Sequence, residues 1–328
     1  MEFIVTLQSS GKRFEVRADE TVLEAAQRAG LALSYSCLAG VCGSCKATLI
    51  RGECAYPRNP PSALSASERA HDAVLLCQAV PRSDLLIAAR EVASVEDLPR
   101  RVLEVRVVGR QLLAPDVMRL ELAPLGQPLR RLPGQYVDVL LPGGKRRAFS
   151  LAAAPHAGEV LELHVRHVAG GGFTSLVFDT LREGDTLRIE GPLGTFVPRE
   201  DSERPMLFVA GGAGFAPVKA IVEHFLQLGT RRAMRLYWGA RGIADLYLRE
   251  LPQQWQREAH DFAWQPVLSD PHLAAAAGLR AGMVHEAVLA DHPDLSAFDV
   301  YMSGPPAMID AGRRAFVALA VAGTLAAA

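Results

Sequence analysis

No apolar run in this 328-residue chain reaches the roughly twenty residues needed to cross a bilayer, and the apolar stretch Ala315–Ala328 is too short. No secretory signal is apparent either: residues 1–7 alternate in polarity, and Gly11-Lys12-Arg13 follows at once. Charge of one sign is also lacking. The 35 Lys and Arg balance 36 Asp and Glu to a net −1, without the basic excess that nucleic-acid binding uses. Cysteine is sparse, at five residues, and three of these crowd into positions 37–45. That distribution does not suit a disulfide framework and suits metal binding in a reducing compartment. There are no internal repeats, no H-E-x-x-H and no Ser-His-Asp ordering. All nine histidines, His164 and His167 included, read as structural or exposed. The expectation is a cytoplasmic protein that binds neither membrane nor nucleic acid.

The composition is that of a globular protein, 49% apolar and 22% charged, and the length allows two or three domains. Phe3–Leu7 and Arg13–Arg17 read as strands joined by a Ser-Ser-Gly turn. Thr21–Ala29 reads as a helix, with Asp19 or Thr21 as cap and Gly30 as stop. This unit is expected to span 1–93, followed by a linker over 94–101 containing Glu96-Asp97 and Pro99. From 102 to 200, short strands such as Leu103–Val108, Tyr136–Leu141 and Leu161–Val168 alternate with Pro and Gly turns. That pattern predicts an antiparallel barrel, interrupted by a helix near Phe173–Arg182. From 201 to 328, strands Met206–Ala210, Leu236–Gly239 and Val300–Ser303 alternate with helices such as Ala216–Leu228. This predicts a doubly wound α/β sheet.

Cys37, Cys42 and Cys45 stand in C-x4-C-x2-C spacing, with Cys77 far downstream. This is the plant-type 2Fe–2S pattern. A tight loop lets three thiolates converge, and Gly40 and Gly43 allow backbone N–H groups to approach the sulfurs. Structural zinc is the competing reading, but zinc favours paired C-x2-C spacing. Cys54 falls outside the pattern and reads as a non-ligand.

Arg147-Ala148-Phe149-Ser150 follows a strand of the expected barrel. Arginine forks onto a pyrophosphate, an aromatic ring lies flat on an isoalloxazine, and a serine hydroxyl hydrogen-bonds near the hydride-accepting position. Downstream, Gly170-Gly171-Gly172-Phe173-Thr174-Ser175 opens a helix, whose donors at Gly172 together with the hydroxyls of Thr174 and Ser175 suit a phosphate. Taken singly, Arg147 reads equally as surface charge, Phe149 as core and the glycines as a turn.

Gly211-Gly212-Ala213-Gly214-Phe215-Ala216-Pro217 joins a strand to a helix. Gly211, Gly212 and Gly214 permit close approach to a diphosphate, and Pro217 fits the first helical turn. Arg241 ends the next strand, where the adenosine ribose of a dinucleotide sits. With no second basic group beside it, NADH is expected over NADPH. Ser303-Gly304-Pro305-Pro306 follows the last strand.

Residues 1–92 resemble a plant-type ferredoxin, with Leu75–Ala79 similar to that family's last ligand segment. Residues 102–328 resemble the ferredoxin–NAD(P) reductase superfamily, through R-x-[YF]-[ST] at 147–150, G-G-x-G-x-[AT]-P at 211–217 and C-G-P-P-x-M at 303–308. Ser303 stands where the family usually has Cys, and the chain ends Gly323–Ala328 without the family's acidic–aromatic tail. The resemblance implies a β-grasp ferredoxin domain, an FAD-binding barrel and a nucleotide domain. It implies hydride transfer framed by Ser150 and Ser303, with Gly304 and Pro305 beside the nicotinamide. The parts match the reductase components of bacterial oxygenases, which are usually monomers and feed electrons to a partner protein. The segment Cys77–Leu85 is also similar to CDP-6-deoxy-glucoseen reductases, donors to a deoxysugar dehydratase. A non-catalytic redox sensor and a general flavin reductase are the readings from other classes.

Overall fold

The computed structural model describes residues 2–57, 61–92, 95, 98–317 and 324–327. Ser94, Glu96 and Asp97 of the expected linker lie outside them, as do Gly323 and Ala328. The chain divides into two compact units. One comprises residues 1–99 with 194–196 and the last two residues; the other comprises 100–193 and 197–326.

In the first unit, strands β1 (Glu2–Leu7) and β2 (Arg13–Arg17) form an antiparallel hairpin that leads to helix α1 (Val22–Arg28). Of the two candidate caps, Thr21 is the one used. Its hydroxyl accepts from the Glu24 amide while the Glu24 carboxylate accepts from the Thr21 amide. Strands β3 (Lys46–Arg51), β4 (Ala73–Leu75) and β5 (Leu85–Ala88) complete a sheet of order β2-β1-β5-β3-β4, with β5 parallel to β1. Alternation along β1 and β2 sends Val5, Leu7, Phe14 and Val16 into the core. Residues 194–196 join this unit through Tyr35, whose hydroxyl accepts from the Gly194 amide at 3.0 Å and whose amide donates to Thr195 Oγ1 at 2.7 Å.

The second unit opens with six strands. They are β6 (Arg101–Ala114), β7 (Val117–Pro124), β8 (Tyr136–Leu140), β9 (Arg146–Ser150), β10 (Leu161–Arg166) and β11 (Thr186–Leu193). Their order is β9-β8-β11-β6-β7-β10, and an antiparallel bridge between Leu151 and Leu163 ties the two ends together. The sheet therefore closes into the expected barrel. Valine, leucine and isoleucine side chains such as Val105, Leu120, Val137, Leu163 and Ile189 fill it. Helix α2 (Gly172–Asp179) plugs one end with Phe173 and Val177.

The remainder is a mainly parallel sheet. It is built from β12 (Met206–Gly211), β13 (Met234–Ala240), β14 (Phe262–Leu268), the short β15 (Arg280–Ala281), β16 (Asp299–Ser303) and β17 (Thr324–Ala327), in the order β15-β14-β13-β12-β16-β17. Helix α3 (Phe215–Gln227) follows β12. The strand order reverses between β12 and β16, so a crevice opens at their carboxyl ends, the place where such sheets bind nucleotides. Below the crevice, Asp299 is 1% exposed and accepts from Arg232 at 2.8 Å, with Arg199 at 3.6 Å.

Candidate functional site

The loop between α1 and β3 carries the first three cysteines. Cys42, Cys45 and Cys77 are buried and Cys37 is half-buried. Leu38 adopts φ +57 and Gly40 φ +74, which turns the chain tightly enough to bring amides onto sulfur. The Ala39 and Cys42 amides each donate to Cys37 Sγ at 3.4 Å, and the Gly40 amide points at the Cys77 sulfur. A Cβ on Gly40 would meet Pro61 at 2.9 Å and Gln78 at 3.0 Å, so glycine is required there on space as well. Gln78 locks the downstream segment onto the loop by donating to the Leu38 carbonyl at 2.8 Å.

The four thiols meet as two pairs, Cys37 with Cys42 and Cys45 with Cys77. Among the described residues no three His, Cys, Asp or Glu side chains form a single metal-holding group. Two pairs suit a two-iron cluster, with two thiolates to each iron. The hydrogen bond from Cys42, reinforced by backbone amides and opposed by burial, brings the Cys37 thiol down to about 5. The Cys77 thiol is likewise lowered, first by Cys45. Their partners Cys42 and Cys45 are raised in turn, first by the same thiol–thiol hydrogen bonds and then by burial, so each pair holds a proton between its two sulfurs. Cys54 stands apart on a two-residue strand, and burial pushes its thiol up to about 11.

In the barrel, β9 presents the Arg-x-Phe-Ser run. Arg147 is exposed and donates to the Arg146 carbonyl at 2.8 Å. Phe149 is half-buried, its ring 5.2 Å from that of Phe173. Ser150 pairs with Tyr136 across the ladder. Phe173 therefore ties the strand to the N-terminus of α2, and the sequence reading did not give it this part. Thr174 is placed differently from the expectation of a phosphate ligand. Its hydroxyl accepts from the Val168 amide at 3.1 Å and faces the Val168 and Gly171 carbonyls, closing the glycine loop on itself. Gly172 has open space where a side chain would be, and Ser175 is half-buried in the first turn. An exposed cation, a half-exposed ring and a helix N-terminus with open space at Gly172 fit a flavin dinucleotide lying along this face.

At the nucleotide crevice, the loop after β12 and the segment after β16 pack backbone on backbone. A Cβ on Gly214 would land on the Ser303 carbonyl and 2.6 Å from the Gly304 nitrogen. A Cβ on Gly304 would sit 3.1 Å from Gly211. Gly211, Gly214, Ser303, Gly304 and Pro305 are thus brought together, and Ser303 is buried among them. Pro217 is buried in the first turn of α3, as expected. Gly212 faces Arg166 of the barrel. Arg241 is exposed one residue beyond β13, and its carbonyl accepts from the Asp270 amide.

His164 is one of the histidines expected to be structural, and it is. It is fully enclosed and hydrogen-bonded to Glu162 at 2.7 Å and to Tyr247 at 3.0 Å. The strict alternation Leu161-Glu162-Leu163-His164-Val165-Arg166 was the signal for a polar face in a barrel strand.

Comparison with known proteins assigns a family to each of the three regions. Family models match residues 5–82 as a 2Fe-2S iron-sulfur cluster binding domain, 104–197 as an oxidoreductase FAD-binding domain and 208–314 as an oxidoreductase NAD-binding domain. Protein RfbI of Salmonella typhimurium is 38% identical over 97% of this chain and 93% of its own length. The CDP-6-deoxy-L-threo-D-glycero-4-hexulose-3-dehydrase reductase of Yersinia pestis is 36% identical over 97% and 94%. The reductase subunit of an Amycolatopsis aromatic O-demethylase is 38% identical over 96% and 94%. Among solved structures, the Amycolatopsis cytochrome P450 reductase GcoB superposes with a TM-score of 0.74 at 35% identity, covering 98% of each chain. With three cofactor domains in this order and relatives matched from end to end, the chain belongs to the ferredoxin–NAD(P) reductase superfamily, in the branch of iron–sulfur flavoprotein reductases that carry an N-terminal 2Fe–2S domain.

Proposed function

We propose that this reductase draws electrons from NADH and delivers them singly to a partner protein, an oxygenase component or similar iron protein. The pairing of four cysteines two by two, in a chain that also has FAD- and NAD-binding domains, carries the reading. When bound, FAD takes two electrons as a hydride and passes them on one at a time, which a 2Fe–2S cluster requires.

The protein's part is to hold and to shield. Cys37, Cys42, Cys45 and Cys77 hold the cluster, with the amides around them stabilising the negative sulfurs. Arg147 takes a phosphate of FAD, Phe149 covers the ring, and the first turn at Gly172 and Ser175 receives the remaining phosphate charge. Gly211, Gly212, Gly214 and Pro217 form the floor for the NADH diphosphate. Ser150 and Ser303, with Gly304 and Pro305, frame the hydride-transfer step, in which no side chain acts as acid or base. Arg241 standing alone supports NADH over NADPH. In this reading domains span 1–93, 102–200 and 201–328, and the protein works as a cytoplasmic monomer.

Steady-state NADH oxidation with a one-electron acceptor such as cytochrome c is the test. Ordinary turnover that collapses in Cys42→Ser supports the route. Turnover on free flavin that survives Cys42→Ser indicates a flavin reductase instead, and no turnover with any acceptor leaves the redox-sensor reading. The 36% identity to the Yersinia dehydrase reductase supports a second acceptor, a deoxysugar dehydratase. Assays with a purified oxygenase component and with a dehydratase decide between them.

A further inference from the structure

Strand β10 has one face turned into the barrel and one turned out of it. Leu161, Leu163 and Val165 are completely buried in the barrel core. The alternate residues Glu162, His164 and Arg166 all reach the elements that carry the nucleotide loop. Glu162 Oε1 accepts from His164 Nε2 at 2.7 Å and lies 3.4 Å from Lys219 Nζ, on the helix that the loop opens. Lys219 in turn donates to the Ala152 carbonyl at 3.1 Å, two residues past the Arg-x-Phe-Ser strand. Because the carboxylate can only accept, the His164 proton is on Nε2, and Nδ1 is left to accept from the Tyr247 hydroxyl at 3.0 Å. Burial favours this neutral imidazole.

Tyr247 passes the contact on. Its ring stands edge-on to Trp238 at 5.4 Å and to Phe215 at 6.3 Å. Trp238 and Phe215 stack at 3.9 Å, and Trp238 Nε1 donates to the Gly212 carbonyl at 3.1 Å. The Arg166 guanidinium covers the same glycine, 3.4 Å from where a Cβ would be, and lies 3.4 Å from Asp245. Three successive outward residues of one barrel strand thus converge on residues 211–219.

We propose that the polar face of β10, acting through the His164–Tyr247 hydrogen bond, positions the 211–217 loop against the flavin-binding strand and so governs how fast hydride is transferred rather than how tightly the nucleotide binds. His164 and Tyr247 are positioning residues, and the proposal rests on the reading that NADH reduces a flavin bound to this chain.

Tyr247→Phe keeps the ring and deletes the hydroxyl. In the full-length holoprotein it slows flavin bleaching at saturating NADH about tenfold, the range of one lost hydrogen bond, and leaves ADP-ribose affinity within about twofold. Amide hydrogen exchange over 211–217, measured without nucleotide, speeds up by a similar factor. His164→Gln, which retains a donor and an acceptor, stays closer to the parent protein in both readouts than His164→Leu. Parental exchange and bleaching in a folded Tyr247→Phe protein would overturn the proposal, as would loss of affinity equal to the loss of rate. If NADH fails to bleach the parent protein, the reductase reading fails, while the exchange measurement still decides the positioning.

Discussion

Replacing Gly214 by alanine separates two opposing effects in one substitution. Gly214 has φ −62° and ψ −8°, a helical conformation that alanine adopts freely. On backbone entropy alone, Gly214→Ala would stabilise the protein by about 0.4–1 kcal/mol. Against this, the new methyl would land on the Ser303 carbonyl and 2.6 Å from the Gly304 nitrogen. Those are backbone atoms at the end of β16, held by the parallel ladder from Met206–Asp299 to Ala210–Ser303, and they cannot rotate aside like a side-chain tip. Overpacking of this kind costs about 1–3 kcal/mol, so the net effect is destabilisation of about 1–2 kcal/mol. For a unit of this size that lowers the melting temperature by about 2–8 °C. Melting curves of the full chain without nucleotide measure the net effect, and ADP-ribose titration reads the loop itself, where binding weakens because loop and strand must part. Gly172→Ala, with nothing within 4 Å of its new methyl, is the control for the entropy gain alone and should melt at or slightly above the parental temperature. Refutation would be a Gly214→Ala protein that melts at or above the parental temperature and binds ADP-ribose normally.

Three further outcomes are expected. Glu162 is held down to about 2: burial acts against the anion, but the His164 hydrogen bond and the charge of Lys219 outweigh it. A carboxylate depressed on folding contributes stability that is full above the unfolded value near 4.5 and is lost as pH falls toward 2. The melting-point deficit of Glu162→Gln, worth roughly 3 kcal/mol or less at neutral pH, should therefore shrink across that window. His164, lowered by burial, adds its own loss as pH drops below the ordinary histidine value of 6.5. Asp299→Ala leaves Arg232 and Arg199 without their buried counter-charge and should cost about 3–5 kcal/mol in denaturant unfolding. Cys54→Ser should retain the full visible spectrum of the cluster, whereas Cys77→Ser should lose it, because Cys54 pairs with no other thiol while Cys77 meets Cys45.

The sequence was most legible where chemistry fixes spacing. The interval from Cys37 to Cys45 and the run Gly211–Pro217 each encode a loop whose backbone has few alternatives, and the structure places both as read. Thr21, Gly30 and the turn residues likewise marked their element ends, because caps and turns are local. Less was legible where a side chain's role depends on a distant partner. Thr174 looked like a phosphate ligand by type, yet Val168 takes its hydroxyl, which only the folded loop reveals. His164 had no neighbouring motif because its partner Tyr247 is brought to it by tertiary packing. Strand β6 runs to Ala114, beyond the Leu103–Val108 span expected, because pairing with β7 continues past the bulge between Val107 and Gly109.

The central claim is that electrons pass from NADH to iron held by these four cysteines. Anaerobic titration of the purified full-length protein with NADH, followed in the visible spectrum after assay of iron and labile sulfide, tests it most directly. The expected result is equal iron and labile sulfide, flavin bleaching on the first additions and then loss of cluster absorption in the parent, with flavin bleaching alone in Cys77→Ser, which lacks the cluster spectrum from the start. Flavin that bleaches while the iron–sulfur absorption of the parent protein stays unchanged would contradict the account.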